Sequence, residues 1–164
     1  MNIPQERVTA ESLINALTFY GYETAQDPSP DTFHIRSETG ISIQLHLPED
    51  QPFIQIATKH VFPQHLPRTE RLKLVNDVSV RMHLCSFFLN DYDEMVALSY
   101  HPYQYELNMP QFLMNLKRFS FINRTIWHED DWKGIISACP PTKNVKSTDP
   151  TIQTEEVPPY ATCH

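Results

Sequence analysis

A chain of 164 residues in which 40% of the side chains are hydrophobic and 20% charged has the material for one core and too little charge for general disorder, so one folded domain with a terminal extension is expected. Thirteen Lys and Arg against 20 Asp and Glu give a formal charge of −7, which repels phosphate backbones and anionic lipid and argues against nucleic acid or a membrane surface as partner. No run approaches the roughly 18 to 20 apolar residues that cross a bilayer, and the opening MNIPQERVTAES has no signal core, so a cytoplasmic location is expected.

Thr9 can cap a first helix over about 10 to 20, with Leu13, Leu17 and Tyr20 at i, i+4 and i+7 on its apolar face. Gly21 is placed to end it in a left-handed turn. The proline-containing QDPSPD reads as loop, and Phe33 with Ile35 opens a strand over 32 to 37. Beyond a turn at Ser37 to Gly40, residues Ile41, Ile43, Leu45 and Leu47 alternate with polar ones in the clearest strand of the chain. Phe53, Ile54, Ile56 and Thr58 then give a third strand, and the three form an antiparallel meander.

The run HVFPQHLPRTE contains two prolines and leads to a middle helix at about 68 to 82 with Leu72, Val75, Ser79 and Met82 on one face and Val78 alongside. Two short hydrophobic strands on either side of Asn90 to Asp93 make a hairpin. Asn108 can cap a last helix in which Phe112, Leu116 and Phe119 recur at i, i+4 and i+7, running to about 123 or slightly beyond. After Trp132 the composition shifts. Residues 135–164 hold five prolines and few large apolar side chains, so the expected division is a folded domain over 1–134 and a flexible Pro/Thr-rich tail over 135–164.

The search for chemistry finds little. Eight histidines include no His-x-x-x-His pair, and His60 and His65 are expected in a loop at the surface. The three cysteines, Cys85, Cys139 and Cys163, are odd in number and scattered, which reads as free thiols. Glu129, Asp130 and Asp131 read as a solvated acidic face. The three glycines form no phosphate-cradling loop. The nearest thing to a basic cluster, Lys117 and Arg118 with Arg124, sits among apolar residues beside the acidic Glu129, Asp130 and Asp131, so nucleic acid stays a poor candidate partner. Tyr92, Tyr100, Tyr103 and Tyr105 could anchor an interface, although ordinary packing accounts for most of them. No cofactor, metal or catalytic residue is expected.

The stretches SLINALTFYGYE, RLKLVNDVSVRMHLCSFFLND and MPQFLMNLKRFSFI together resemble the YbjN-like family of proposed bacterial sensory-transduction regulators, over about 8 to 123. Ser79 stands where that family would carry a further asparagine. The resemblance implies a fold similar to type III secretion chaperones: helix, three-strand antiparallel meander, helix, two-strand hairpin, helix. It also implies a protein-binding module, with a homodimer as one form, and supplies no catalytic residues. Phe87, Leu89, Val96 and Leu98 are the candidate interface residues, because the hairpin carries more apolar side chains than one buried face needs, with burial of all four in the core as the competing reading. The expected function is a chaperone-like or regulatory adaptor without enzymatic activity. A small hydrolase assembled from distant Asp, His and Cys residues, and an acidic immunity or inhibitor-type protein, are the alternatives.

Overall fold

A computed structural model describes residues 2–138 except 39, 50, 130 and 131. The class is α+β, with three helices against mostly antiparallel strands. Strand β1 (Asn2–Pro4) leads through a turn of 3-10 helix into α1 (Ala10–Phe19). Thr9 caps α1 in a reciprocal box with Ser12: the Thr9 oxygen accepts from the Ser12 N–H at 3.2 Å and the Ser12 oxygen accepts from the Thr9 N–H at 3.0 Å. Gly21 ends it with φ +85°, a conformation an L side chain adopts only under strain. Leu13, Ala16 and Leu17 are buried, whereas Tyr20, expected on the same face, lies past the last turn and is exposed.

The meander has four strands, not the expected three: β2 (Glu23–Gln26), β3 (Thr32–Arg36), β4 (Ser42–His46) and β5 (Phe53–Val61). The added strand, β2, is an edge strand with almost no apolar content, so it leaves no hydrophobic alternation to read. Strand β5 also runs three residues beyond Thr58. This places His60 inside the sheet with 0% exposure, correcting its expected surface position.

Helix α2 (Arg68–Arg81) buries Val75 and Val78, but Leu72 is exposed. Strands β6 (Ser86–Leu89) and β7 (Met95–Pro102) form the second hairpin. A short strand β8 (Glu106–Asn108) pairs with β1 as a separate two-stranded sheet. Helix α3 (Met109–His128) follows, capped by the Asn108 oxygen, which accepts the Gln111 N–H at 3.0 Å. It runs five residues past 123. Asparagine favours helix ends because its side chain competes for backbone groups, yet Asn123 is fully buried with its amide engaged inside the fold.

The large sheet runs β2-β3-β4-β5-β7-β6, with β9 (Ser137–Ala138) pairing the far end of β5 where β4 has stopped. The first residues of the segment assigned to the flexible tail, 135–138, thus belong to this body, and Ile136 is buried. The remainder, 139–164, lies outside the described residues, as do Cys139 and Cys163. All three helices pack on one face of the sheet in a single apolar cluster. Leu13 and Leu17 of α1, Val75 and Val78 of α2, and Phe112, Leu116 and Phe119 of α3 meet Phe33, Ile35, Ile43, Leu45, Ile54, Ile56 and Met95 from the strands. No helix among the described residues is long and apolar enough to cross a membrane.

Candidate protein-binding surface

Because strand side chains alternate between faces, the residues between those core positions must point the other way. The register pairs Phe88 with Val96, Ser86 with Leu98, Lys59 with Val96, Ala57 with Leu98, Gln55 with Tyr100, and Phe53 with Pro102. Cross-strand partners share a face. These residues therefore line the side of the sheet that no helix covers. Phe88 and Tyr100 are 43% and 52% exposed, and the Phe53 ring meets Tyr100 edge to face, centroids 5.2 Å apart. Val96, only 9% exposed, and the half-buried Leu98 form the floor between them.

This apolar stripe across β6, β7 and β5 is bordered by polar and charged side chains. Lys59 pairs with the largely buried Glu94 at 3.2 Å. Gln44, His34 and His46 continue the face across β4 and β3, with His34 Nε2 3.2 Å from Asp27 and His46 Nδ1 3.0 Å from the Thr32 hydroxyl. The hairpin tip is pinned from behind. Asn90 accepts the N–H groups of Tyr92 and Glu94 through its side-chain oxygen at 3.0 and 2.9 Å. Arg71 donates to the carbonyls of Leu66, Pro63, Gln64 and Asp93 at 2.8 to 3.2 Å. Asp93, at φ +62°, also pairs with Arg68. The pinned tip holds Phe88 on a fixed support.

The four hairpin residues divide between the two faces. Phe87 and Leu89 turn inward onto the helices, Phe87 being 9% exposed. Val96 and Leu98 share the open face with Tyr100, already named as a possible interface anchor, and with Phe88, which was not among the candidate residues. The signal that finds Phe88 is the alternation itself: once Phe87 is in the core, its neighbour is not. Tyr92, Tyr100 and Tyr105 are all exposed, against the expectation that packing absorbs the tyrosines, while Tyr103 is partly buried against the core.

The buried His60 sits between two polar partners. The Trp127 indole N–H can only donate, so His60 Nδ1 accepts it at 3.0 Å and Nε2 carries the ring proton toward the Asn123 oxygen, 2.8 Å away. Burial pushes the His60 pKa down to about 4, the Asn123 bond opposing it. His101 is likewise held by Asn115 at 2.7 Å, and burial lowers its pKa. Burial also raises the Cys85 thiol to about 11, which keeps it protonated and poorly nucleophilic. Among the described residues no group of three or more His, Cys, Asp or Glu side chains could hold a metal ion. A shallow cleft of about 410 Å³ between the N-terminal turn, the β4–β5 turn and Tyr103 has no His, Cys or Ser in its lining.

No protein-family profile matches the chain, and no curated protein sequence matches it. Among solved structures, it is similar to the crystal structure of YbjN, a candidate transcription regulator from E. coli, with a TM-score of 0.59 and 11% sequence identity over 77% of this chain and 93% of that one. The chain therefore has a YbjN-like α+β fold, and at this identity the likeness extends to the fold alone.

Proposed function

We propose that this chain is a non-enzymatic protein-binding module of the YbjN type, a regulatory or chaperone-like adaptor of a bacterial cytoplasm, which takes an extended segment of a partner protein on the open face of its sheet. The observation that carries this reading is the apolar stripe of Phe88, Val96, Leu98, Tyr100 and Phe53 on the side of the sheet without helices. An uncovered antiparallel sheet normally turns polar side chains to water, and a contiguous apolar patch with a polar border is the composition of an interface centre. The fold-level likeness to a protein named as a regulator supports the same class. The hydrolase alternative draws no support from the geometry around its best His–carboxylate pair: His34 and Asp27 lie at the sheet surface, and no hydroxyl or thiol hydrogen-bonds to His34 among the described residues.

Paired affinity captures from the native host test the reading, one with the wild-type chain as bait and one with Phe88→Asp/Tyr100→Asp. A protein retained by the first and lost from the second is the expected result. Equal recovery on both baits, or none on either, rejects it. Light scattering of the same two proteins separates the remaining case, since a dimer split by the double substitution assigns the face to a second copy instead.

A further inference from the structure

The outward side of α3 carries a second pattern, on the far side of the molecule from the open sheet face. Met114, Lys117, Phe121, Arg124 and His128 follow one another at steps of 3, 4, 3 and 4 residues, so they form one stripe along the helix, with Arg118 beside it. All six are exposed, Phe121 at 69%. The 20-residue helix contains no Asp or Glu at all, in a chain with 20 of them. Among the described residues Arg118 and Arg124 have no hydrogen-bond or ion-pair partner, and Lys117 has one loose contact, 3.6 Å from the exposed Glu38.

Stabilisation of the helix does not account for this arrangement. Cations in the last turn offset the helix dipole, which reaches Arg124. Lys117 and Arg118 lie in the middle of the helix, where the dipole gives no preference, and Phe121 between the cations is 69% exposed and adds little to the core. We propose that this face of α3 is a docking surface for an acidic, partly apolar segment of a partner protein, with Phe121 and Met114 as the apolar anchors and Arg118, Arg124 and Lys117 as the charge-complementary border. A helix bearing alternate anchors and charges is a recurring mode of segment recognition. A second copy of the chain is a poor occupant in a symmetric contact, because two such stripes repel. Nucleic acid is disfavoured by the net charge of −7.

The surface is distinct from the sheet face, so the two readings fail separately. Fluorescence anisotropy of the full chain with three labelled probes tests this one: a peptide alternating Glu with Leu, the same peptide with Lys for Glu, and a short DNA duplex. The Glu peptide is expected to bind, more weakly as salt rises, and the Lys peptide and the duplex are not. Arg118→Glu/Arg124→Glu weakens the Glu peptide about tenfold or more, and Phe121→Ser weakens it severalfold, both with unchanged thermal melts. Phe88→Asp/Tyr100→Asp binds it as the wild type does. Equal binding by the Lys peptide, preference for the duplex, indifference to the charge reversal, loss of binding in the sheet-face variant, or no binding at all overturns the proposal.

Discussion

His60 on β5 gives its Nε2 proton to the side-chain oxygen of Asn123 on α3 across 2.8 Å, in a site closed to solvent at both residues. The Asn123 amide donates in turn to the Phe119 carbonyl at 2.8 Å, and Trp127 closes the other side of the ring. Together with Asn115 on His101, this sets the rotation and axial position of α3 on the sheet by two separated polar locks within an apolar layer. Truncating one partner leaves a buried polar group unsatisfied, so Asn123→Ala is expected to cost about 1 to 3 kcal/mol. Urea denaturation followed by circular dichroism measures it.

The same ring makes stability depend on pH. The folded-state pKa of His60 falls from 6.5 to about 4, so between those values the unfolded chain binds a proton that the folded chain refuses. The stability is at its full value above pH 6.5 and falls as pH drops toward 4, by about 3 kcal/mol in all. His60→Gln removes the titrating ring. Denaturation at pH 7.5, 6, 5 and 4.5 is expected to show a steeper loss in the wild type than in this variant, and parallel curves count against the assignment.

Neighbouring phenylalanines on β6 give the sharpest check of which face is which. Phe87→Ala empties a core position and is expected to cost about 3 kcal/mol or more, while Phe88→Ala removes a surface ring and costs under about 1 kcal/mol. Equal losses in guanidinium melts contradict the register of β6 against β7.

Arg71 should not tolerate lysine. Its guanidinium reaches four carbonyls at once, and a single ammonium cannot reproduce a planar fork of donors. Arg71→Lys and Arg71→Ala are both expected to destabilise, by about 1 to 3 kcal/mol. Faster amide exchange at the β6–β7 tip in both variants is the accompanying local signal. Full rescue by lysine contradicts the latch.

Cys85 is expected to alkylate slowly. With its pKa raised from 9.0 to about 11, the thiolate fraction at pH 8 is about a hundredfold lower than for an unperturbed group. Iodoacetamide labelling resolved by residue in a mass spectrometer checks this against an unfolded sample of the same chain.

Elements that bury a wide apolar face were readable in the residues. Leu13 and Leu17, Ile43 and Leu45, and Phe112 with Leu116 announce their periods because the core needs them. Elements without such a face are stabilised by other means. Strand β2 contributes backbone hydrogen bonds with mostly exposed side chains, and β1, β8 and β9 are two or three residues long. The open face was half legible. The hairpin's apolar excess pointed to the right two strands, but only the register assigns Val96 and Leu98 outward and Phe87 and Leu89 inward, and only the juxtaposition of β5 adds Phe53.

The pairing of Asn2–Pro4 with Glu106–Asn108 bears on the order in which the chain assembles. Its two strands are separated by about a hundred residues, so the loop it closes costs more entropy than any hairpin in the molecule. During synthesis the first strand waits, unpaired, until nearly the whole meander and the second hairpin have emerged. The ribbon is therefore expected to fasten late, securing the start of α1 to the segment leading into α3 once the sheet between them has formed.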